Sequence, residues 1–188
     1  MKKSLFAVVA LVVATSASAE GNYASTKLET RDGRDGAHDS NALALTVGKK
    51  INQHLSAEIY TRVKRENDTD KNNTRLEGAL IGSAETPING LSVYTRGAIG
   101  DKFSGTTDYG YWSIEPGIKY SVTDTTSVKA GLRLRDAFNT DNNDSTRTYK
   151  LSGEYALNKK ESISLSYDRS YGDSKYNAIG IGYSIKFN

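Results

Sequence analysis

Hydrophobic and polar residues alternate along most of the chain. In Leu55–Lys64 every odd position is apolar or Thr, and every even position is polar or Tyr. The same period of two recurs in Leu91–Arg96, Val128–Arg135 and Glu161–Asp168. This patterning predicts β-strands with two chemically different faces, and no segment shows a clear helical period. Ten strands are predicted, at about 22–31, 41–49, 54–65, 74–84, 91–101, 109–122, 127–136, 146–157, 161–170 and 175–187.

The connections between these segments alternate between short and long. The short ones hold turn residues such as Asn89-Gly90 and span 48–53, 85–90, 123–126 and 158–160. The long ones are polar and span 32–40, 66–73, 102–108, 137–145 and 171–174. The alternation predicts one sheet end with tight turns and another with longer loops.

The first nineteen residues differ from the rest. Lys2 and Lys3 precede an unbroken apolar run, Leu5–Ala14, and Ala17-Ser18-Ala19 supplies a small-residue cleavage site. These are the parts of a secretory signal peptide. An uncleaved N-terminal anchor is the alternative, although the run is shorter than the roughly 20 residues of a spanning helix. We expect a signal peptide at 1–19 and a single domain at 20–188.

An export signal followed by an even number of strands about ten residues long is typical of outer-membrane β-barrels. We therefore predict an all-β fold, an antiparallel transmembrane β-barrel of about ten strands with long extracellular loops and short periplasmic turns. The expected partners are outer-membrane lipid, lipopolysaccharide and the outer-membrane assembly machinery. A soluble β-sandwich is the alternative. Outward aromatic residues are predicted near the strand ends, where they would meet the membrane interfaces: Trp112, Tyr149 and Tyr167 on the loop side, and Tyr120, Tyr155, Tyr183 and Phe187 on the turn side.

The amino-acid composition excludes several classes of function. The chain of 188 residues has no cysteine, which excludes disulfides and thiolate chemistry. Its formal net charge of +3 is too small for a strongly basic nucleic-acid binder, so nucleic acid is not an expected partner. A mean hydropathy of −0.56 is too polar for a helical membrane protein. No cofactor is expected.

Two stretches resemble known proteins. The alternating, aromatic-ending stretch Asn177–Phe187 resembles the C-terminal strand by which bacterial outer-membrane proteins are recognised for assembly, although Asn188 follows the aromatic residue. The Tyr111–Gly117 strand, together with Arg and Lys on the inner faces, resembles the oligogalacturonate-specific porins. That resemblance implies a small channel for acidic oligosaccharides, although that family has about twelve strands. Within this stretch, Pro116 beside Gly117 predicts a bulge or a bend.

Strand parity predicts which charges point into the lumen. The cations outnumber the carboxylates by eleven to six: Lys27, Arg62, Lys64, Arg75, Arg96, Lys119, Lys129, Arg133, Arg135, Lys150 and Lys186 against Glu29, Glu58, Glu77, Glu115, Glu154 and Asp168. Because charged rings select ions of the opposite sign, the sequence predicts a narrow, anion-leaning pore for small acidic solutes or oligosaccharides. The predicted lumen and selectivity residues are Arg62, Lys64, Arg75, Arg96, Glu115, Arg133, Arg135 and Lys150.

The same residues also fit a closed lumen. Barrels of eight strands are filled by side chains, so arginine–glutamate pairs could plug a barrel of ten. A plugged barrel would have a structural or surface-adhesion role through its loops. Small inward residues, among them Gly48, Gly117 and Gly131, favour the channel.

Enzymatic and metal-binding signals are weak. His38 and His54 are the only histidines, and solvated loop positions are the simpler interpretation of both. The acidic stretches Asp68–Asn72 and Asp141–Asp144 offer oxygen ligands but lack the full pattern of a calcium loop. We therefore predict neither catalytic nor metal-binding residues.

Overall fold

The alternating segments form the strands that the sequence predicts. A computed structural model describes residues 21–67, 72–104, 108–139 and 144–187, and the expected signal peptide at 1–19 lies outside them. The strands are β1 (Asn22–Gly33), β2 (Ser40–Lys50), β3 (Leu55–Glu66), β4 (Asn72–Glu85), β5 (Leu91–Phe103), β6 (Asp108–Ser121), β7 (Thr126–Ala137), β8 (Thr146–Ala156), β9 (Glu161–Gly172) and β10 (Tyr176–Lys186). Across the described residues, no helix is long and apolar enough to cross a membrane.

The sheet closes on itself. Each strand pairs antiparallel with its neighbours in chain order, and β1 pairs with β10 from Tyr23 opposite Lys186 to Gly33 opposite Tyr176. Closure leaves no open edge, so the strands pair their backbone groups with one another. The prediction of a ten-strand antiparallel barrel is confirmed.

The barrel is apolar outside and polar inside. Leu28, Ile99 and Ile181 point outward and are 64–65% exposed, whereas the inward Glu77 and Arg62 are 1% and 4% exposed. A soluble sandwich would bury its apolar face instead, so this distribution excludes the sandwich. Six of the seven aromatic residues predicted to point outward are 38–56% exposed: Trp112, Tyr120, Tyr149, Tyr155, Tyr167 and Tyr183. The seventh, Phe187, follows the end of β10 and is only partly exposed.

Pro116 does not create a bulge. On β6 and β7, Ile114 lies opposite Leu134 and Gly117 lies opposite Gly131, so the register is the same on both sides of the proline. On its other side Pro116 lies directly opposite Thr95 of β5. The predicted bulge is therefore wrong: the missing N–H interrupts the ladder to β7 without inserting a residue.

The connections at the two ends of the barrel differ less in length than the sequence predicts. We call them the loop end, with connections 34–39, 67–71, 104–107, 138–145 and 173–175, and the turn end, with connections 51–54, 86–90, 122–125 and 157–160. Several strands continue into stretches predicted as loops. Lys102 still pairs with Tyr109, for example, and Phe103 with Asp108. A polar composition resembles a loop in sequence, yet these backbones keep their sheet hydrogen bonds.

Candidate functional site in the barrel lumen

The lumen holds a cavity of about 960 Å³. It extends from the turn end, where Gln53 and His54 line it, to a layer of charged side chains nearer the loop end that includes Glu29 and Arg135. All ten strands contribute lining residues, because alternate side chains on every strand point inward. The cavity therefore joins two chemically different halves of the lumen.

Hydroxyl groups dominate the turn-side half. Its charged groups are loosely held: Lys129 Nζ is 4.0 Å from Glu154 Oε2, and the two side chains are 43% and 31% exposed. Glu154 also accepts a hydrogen bond of 2.8 Å from Ser162. This half is a polar, water-accessible wall with little dense ion pairing. Its serines at the cavity are Ser25, Ser56, Ser83, Ser92, Ser152, Ser164 and Ser184.

A carboxylate on β4 organises the opposite half. Glu77 Oε1 accepts hydrogen bonds from Tyr111 Oη at 2.7 Å and from Arg133 Nη2 at 2.5 Å. Its Oε2 accepts one from Arg96 Nη2 at 3.0 Å, and Arg96 Nε also donates to Glu58 at 3.3 Å. We call these five residues the Glu77 cluster. Glu77 and Tyr111 are 1% and 0% exposed, and the two arginines match the two glutamates in charge. The cluster is therefore a largely buried, internally neutralised bridge from β3 to β7.

A second carboxylate, Glu115 on β6, accepts from Lys150 Nζ at 2.8 Å and from Tyr94 Oη at 3.3 Å. The Tyr94 ring passes over Gly117 and Gly131. A Cβ at Gly117 would lie 2.5 Å from the ring and 2.6 Å from the Ala130 carbonyl oxygen, and one at Gly131 would lie 2.7 Å from Tyr94 Oη. The space that these glycines leave is therefore occupied by a tyrosine and does not widen a channel. Gly48 is covered by Tyr23 in the same way.

A third carboxylate, Glu29 on β1, is paired with two cations. Arg31 Nη2 lies 2.7 Å and Lys27 Nζ 2.9 Å from its two oxygens. The Arg31 guanidinium also lies 4.1 Å from the centroid of the Tyr176 ring. Arg31 is 5% exposed and lines the cavity, so it belongs to the lumen although the sequence prediction omitted it.

Two arginines lie side by side with no carboxylate in direct contact among the described residues. Arg62 on β3 is directly opposite Arg75 on β4, and the two are 4% and 5% exposed. Within the described part of the chain, neither forms an ion pair, and the Nε atom of each is buried without a hydrogen-bond partner. Arg75 instead faces the Tyr111 ring, with its guanidinium carbon 5.8 Å from the ring centroid. Like charges placed directly opposite each other are destabilising, so the Arg62–Arg75 pair is a local excess of positive charge.

Near the loop end, two further predicted cations have carboxylate partners. Arg135 donates to Asp144, which is 1% exposed, and also to Thr146 Oγ1 at 3.2 Å. Lys64 lies 2.8 Å from Glu66. Asp144 belongs to the connection between β7 and β8, so its position in the lumen could not follow from strand parity.

The structure thus places all eight predicted lumen residues inside the barrel but in separate environments. Arg96 and Arg133 belong to the Glu77 cluster, Glu115 and Lys150 pair with each other, and Lys64 and Arg135 pair near the loop end. Arg62 and Arg75 alone among the eight have no ion pair within the described residues. The lumen groups that sequence reasoning missed are Tyr23, Arg31, Lys102, Asp144 and Tyr176. Arg31 lies within the predicted first strand at the parity of Lys27 and Glu29, so parity alone could have found it, and extending β5 to its observed end would have found Lys102.

Among the described residues, the histidines form no recognisable catalytic or metal-binding centre. His54 lies in the turn between β2 and β3, where Nδ1 is 3.2 Å from the Ser83 carbonyl oxygen and Nε2 is 3.0 Å from the Gln53 amide. His38 lies in the exposed connection between β1 and β2. In the described ranges, no group of His, Cys, Asp and Glu could hold a metal ion. Residues 68–71 and 141–143 of the acidic stretches lie outside those ranges.

Comparison with known proteins supports the barrel fold. No family model matches the chain, and no curated protein matches its sequence. Among solved structures, the KdgM porin in complex with disordered oligogalacturonate matches with a TM-score of 0.53 and 15% identity, over 88% of this chain and 99% of that one. The NanC porin matches at 0.48 and 10%, over 88% and 99%. Neisserial surface protein A matches at 0.44 and 14%, over 89% and 98%. The loose resemblance to oligogalacturonate porins that the sequence suggested is confirmed for the fold.

Proposed function

We propose that this protein is an outer-membrane porin with a narrow, anion-leaning lumen for small acidic solutes or oligosaccharides. Export by a cleaved signal peptide would deliver it to the membrane, with the loop end facing outward and the turn end facing the periplasm. The observation that carries the proposal is the Arg62–Arg75 pair, which is buried, directly opposed and without an ion pair among the described residues.

Buried charge requires a counter-charge. The other six predicted lumen residues form ion pairs within the protein, whereas, in the described part of the chain, Arg62 and Arg75 have only the longer-range attraction of Glu29 and Asp144. A passing carboxylate fits this need, since the planar guanidinium fork can bind both of its oxygens. The KdgM porin was solved with oligogalacturonate, an acidic sugar chain, which makes an acidic saccharide a reasonable solute class here.

We expect the two halves of the lumen to act differently on a passing solute. The serine-lined turn-side half would keep a solute hydrated with little selectivity. The charged loop-side half would select by sign, because fixed charges act more strongly where water is scarce. The inward Tyr60 and Tyr176 also line the cavity and could offer flat surfaces to sugar rings.

A second candidate is a plugged barrel with a structural or surface-adhesion role. The Glu77 cluster favours it, because this bridge joins side chains of β3, β4, β5, β6 and β7 and narrows the lumen on the loop side. In such a barrel the loops alone would meet a partner outside the cell.

Conductance and reversal potential in a planar bilayer under a potassium chloride gradient distinguish the two functions. We expect small channels that pass chloride better than potassium. Changing Arg62 and Arg75 together to Gln should bring the permeability ratio close to one. The matched control, Lys119→Gln with Lys129→Gln, removes the same charge from the exposed turn-side half and should change the ratio less. Folded protein that inserts but never conducts would refute the porin and favour the plugged barrel.

A further inference from the structure

A patch of arginines and tyrosines covers the outer surface of β8 and β9 near the loop end. Arg147 lies directly opposite Tyr171, and Tyr149 lies directly opposite Arg169. All four side chains are exposed on the outer face. We call them the rim patch. Because diagonal positions on paired strands are about 7–8 Å apart, the two arginines are close enough to contact one multivalent anion.

The Tyr171 ring contacts Arg169, one of the two arginines of the rim patch. The Arg169 guanidinium carbon lies 5.4 Å from the centroid of the Tyr171 ring, and Arg34 approaches the same ring at 4.7 Å. Tyr149 meets Tyr171 edge to face at 5.9 Å. Within the described part of the chain, neither Arg147 nor Arg169 forms an ion pair with a carboxylate. Stacking on aromatic rings preorganises guanidinium groups while leaving their N–H donors free for a ligand.

The position of the patch indicates what kind of ligand could reach it. Immediately toward the turn end, the same outer face carries Leu151, Leu165 and Tyr167, which are 51%, 59% and 42% exposed. In a membrane these apolar residues would contact acyl chains, so the rim patch would lie where headgroups begin. The neighbouring outer rim is acidic, with Asp101 and Asp108 on β5 and β6 and Asp136 on β7. Arg65 on β3 is a single outward cation near the loop end, whereas the rim patch brings two outward arginines together.

We propose that the rim patch binds the phosphate groups of a lipid at the loop-side membrane surface. Arg147 and Arg169 would donate hydrogen bonds to phosphate oxygens, and Tyr149 and Tyr171 would pack against the sugar or glycerol part of the headgroup. This goes beyond the proposed function, because it concerns the outer surface and holds for an open or a plugged barrel.

Native mass spectrometry of the folded protein in detergent can test the proposal with lipid A as the probe and dephosphorylated lipid A as the matched ligand. Changing Arg147 or Arg169 singly to Gln should weaken lipid A binding about five-fold, and the double change roughly thirty-fold, as expected for arginines at an anionic lipid surface. Arg65→Gln is the control, since Arg65 points outward near the loop end on the opposite side of the barrel. It should leave binding unchanged, and the dephosphorylated lipid should be insensitive to each arginine variant.

Three outcomes would overturn the proposal: equal binding of the two lipids, equal loss in Arg65→Gln, or displacement of lipid A by an equimolar amount of inorganic phosphate. A heat-dependent shift on gels verifies that each variant is folded. If a glutamine variant fails that check, Tyr171→Leu replaces it, because this change removes the ring under Arg169 and keeps the charge. Tyr171→Leu should also weaken lipid A binding. Binding in detergent does not require conductance, so this result and the porin result can fail separately.

Discussion

The Glu77 cluster and the Arg62–Arg75 pair lie next to each other but differ in how their charges are paired. Glu77 and Arg75 are two residues apart on β4, and both point into the lumen. Glu77 gathers three donors within 3.0 Å, whereas Arg75 and its neighbour Arg62 form no ion pair among the described residues. One site is complete within the protein, and the other lacks a counter-charge in direct contact.

The difference shows that lumen charge is not spread evenly. An excess of cations summed over a barrel could reflect a uniformly positive wall or a neutral network with a few unmatched groups. Here most of the predicted cations are matched. Among the described residues of the loop-side half, the arginines without an ion pair include the directly opposed Arg62 and Arg75, and Lys102 donates only to the Tyr109 hydroxyl. A selective site is therefore better sought where pairing fails than where charge is dense.

The largest expected effect on stability comes from removing the charge of Glu77, which leaves the arginines of the Glu77 cluster without their main carboxylate. Glu77→Gln keeps the side chain's size but leaves Arg96 and Arg133 buried with less counter-charge. Loss of one partner from a buried ion pair costs about 3–5 kcal/mol, so the free energy of unfolding should fall by that amount. Urea unfolding in lipid vesicles, followed by tryptophan fluorescence of Trp112, would measure it.

Glu154→Gln is the matched control in the turn-side half. Its partner Lys129 is 4.0 Å away and substantially exposed, and exposed pairs contribute about 0–1 kcal/mol. Similar losses of unfolding free energy in Glu77→Gln and Glu154→Gln would contradict the claim that ion pairs stabilise the loop-side half more than the turn-side half.

A smaller effect should follow from filling the space under Tyr94. Gly117→Ala places a methyl group against the ring and against the Ala130 carbonyl oxygen, which cannot move away easily. Overpacking of this kind costs about 1–3 kcal/mol, and the displaced Tyr94 would release Glu115. Gly97→Ala is the control, because a Cβ there meets nothing within 4 Å. Equal unfolding midpoints for the two variants would show that Tyr94 does not occupy the space in solution.

The fold followed from the sequence because barrel strands record their two faces in alternate residues, as Leu55–Lys64 does without interruption. Parity also identified Glu77 and Arg75 as inward residues. It could not indicate that one would be paired and the other not, because pairing depends on side chains from strands far apart in sequence. Arg133 and Glu77, for example, lie on β7 and β4. Asp144 could not be predicted for a different reason: it lies in a connection, where residues do not alternate between an inner and an outer face.

The smallest expected effect is a gain in the free energy of unfolding, and it tests the Arg62–Arg75 pair directly. Changing Arg62 and Arg75 together to Gln removes the repulsion between directly opposed like charges, which costs about 0.2–1 kcal/mol. The free energy of unfolding should therefore stay constant or rise by up to that amount. The unchanged protein should also gain stability when a binding anion such as citrate is added, because a ligand of the folded state stabilises it. The double variant, at equal ionic strength, should gain less. A loss of stability as large as that of Glu77→Gln would mean that the pair is matched after all, and the contrast between the two sites would disappear.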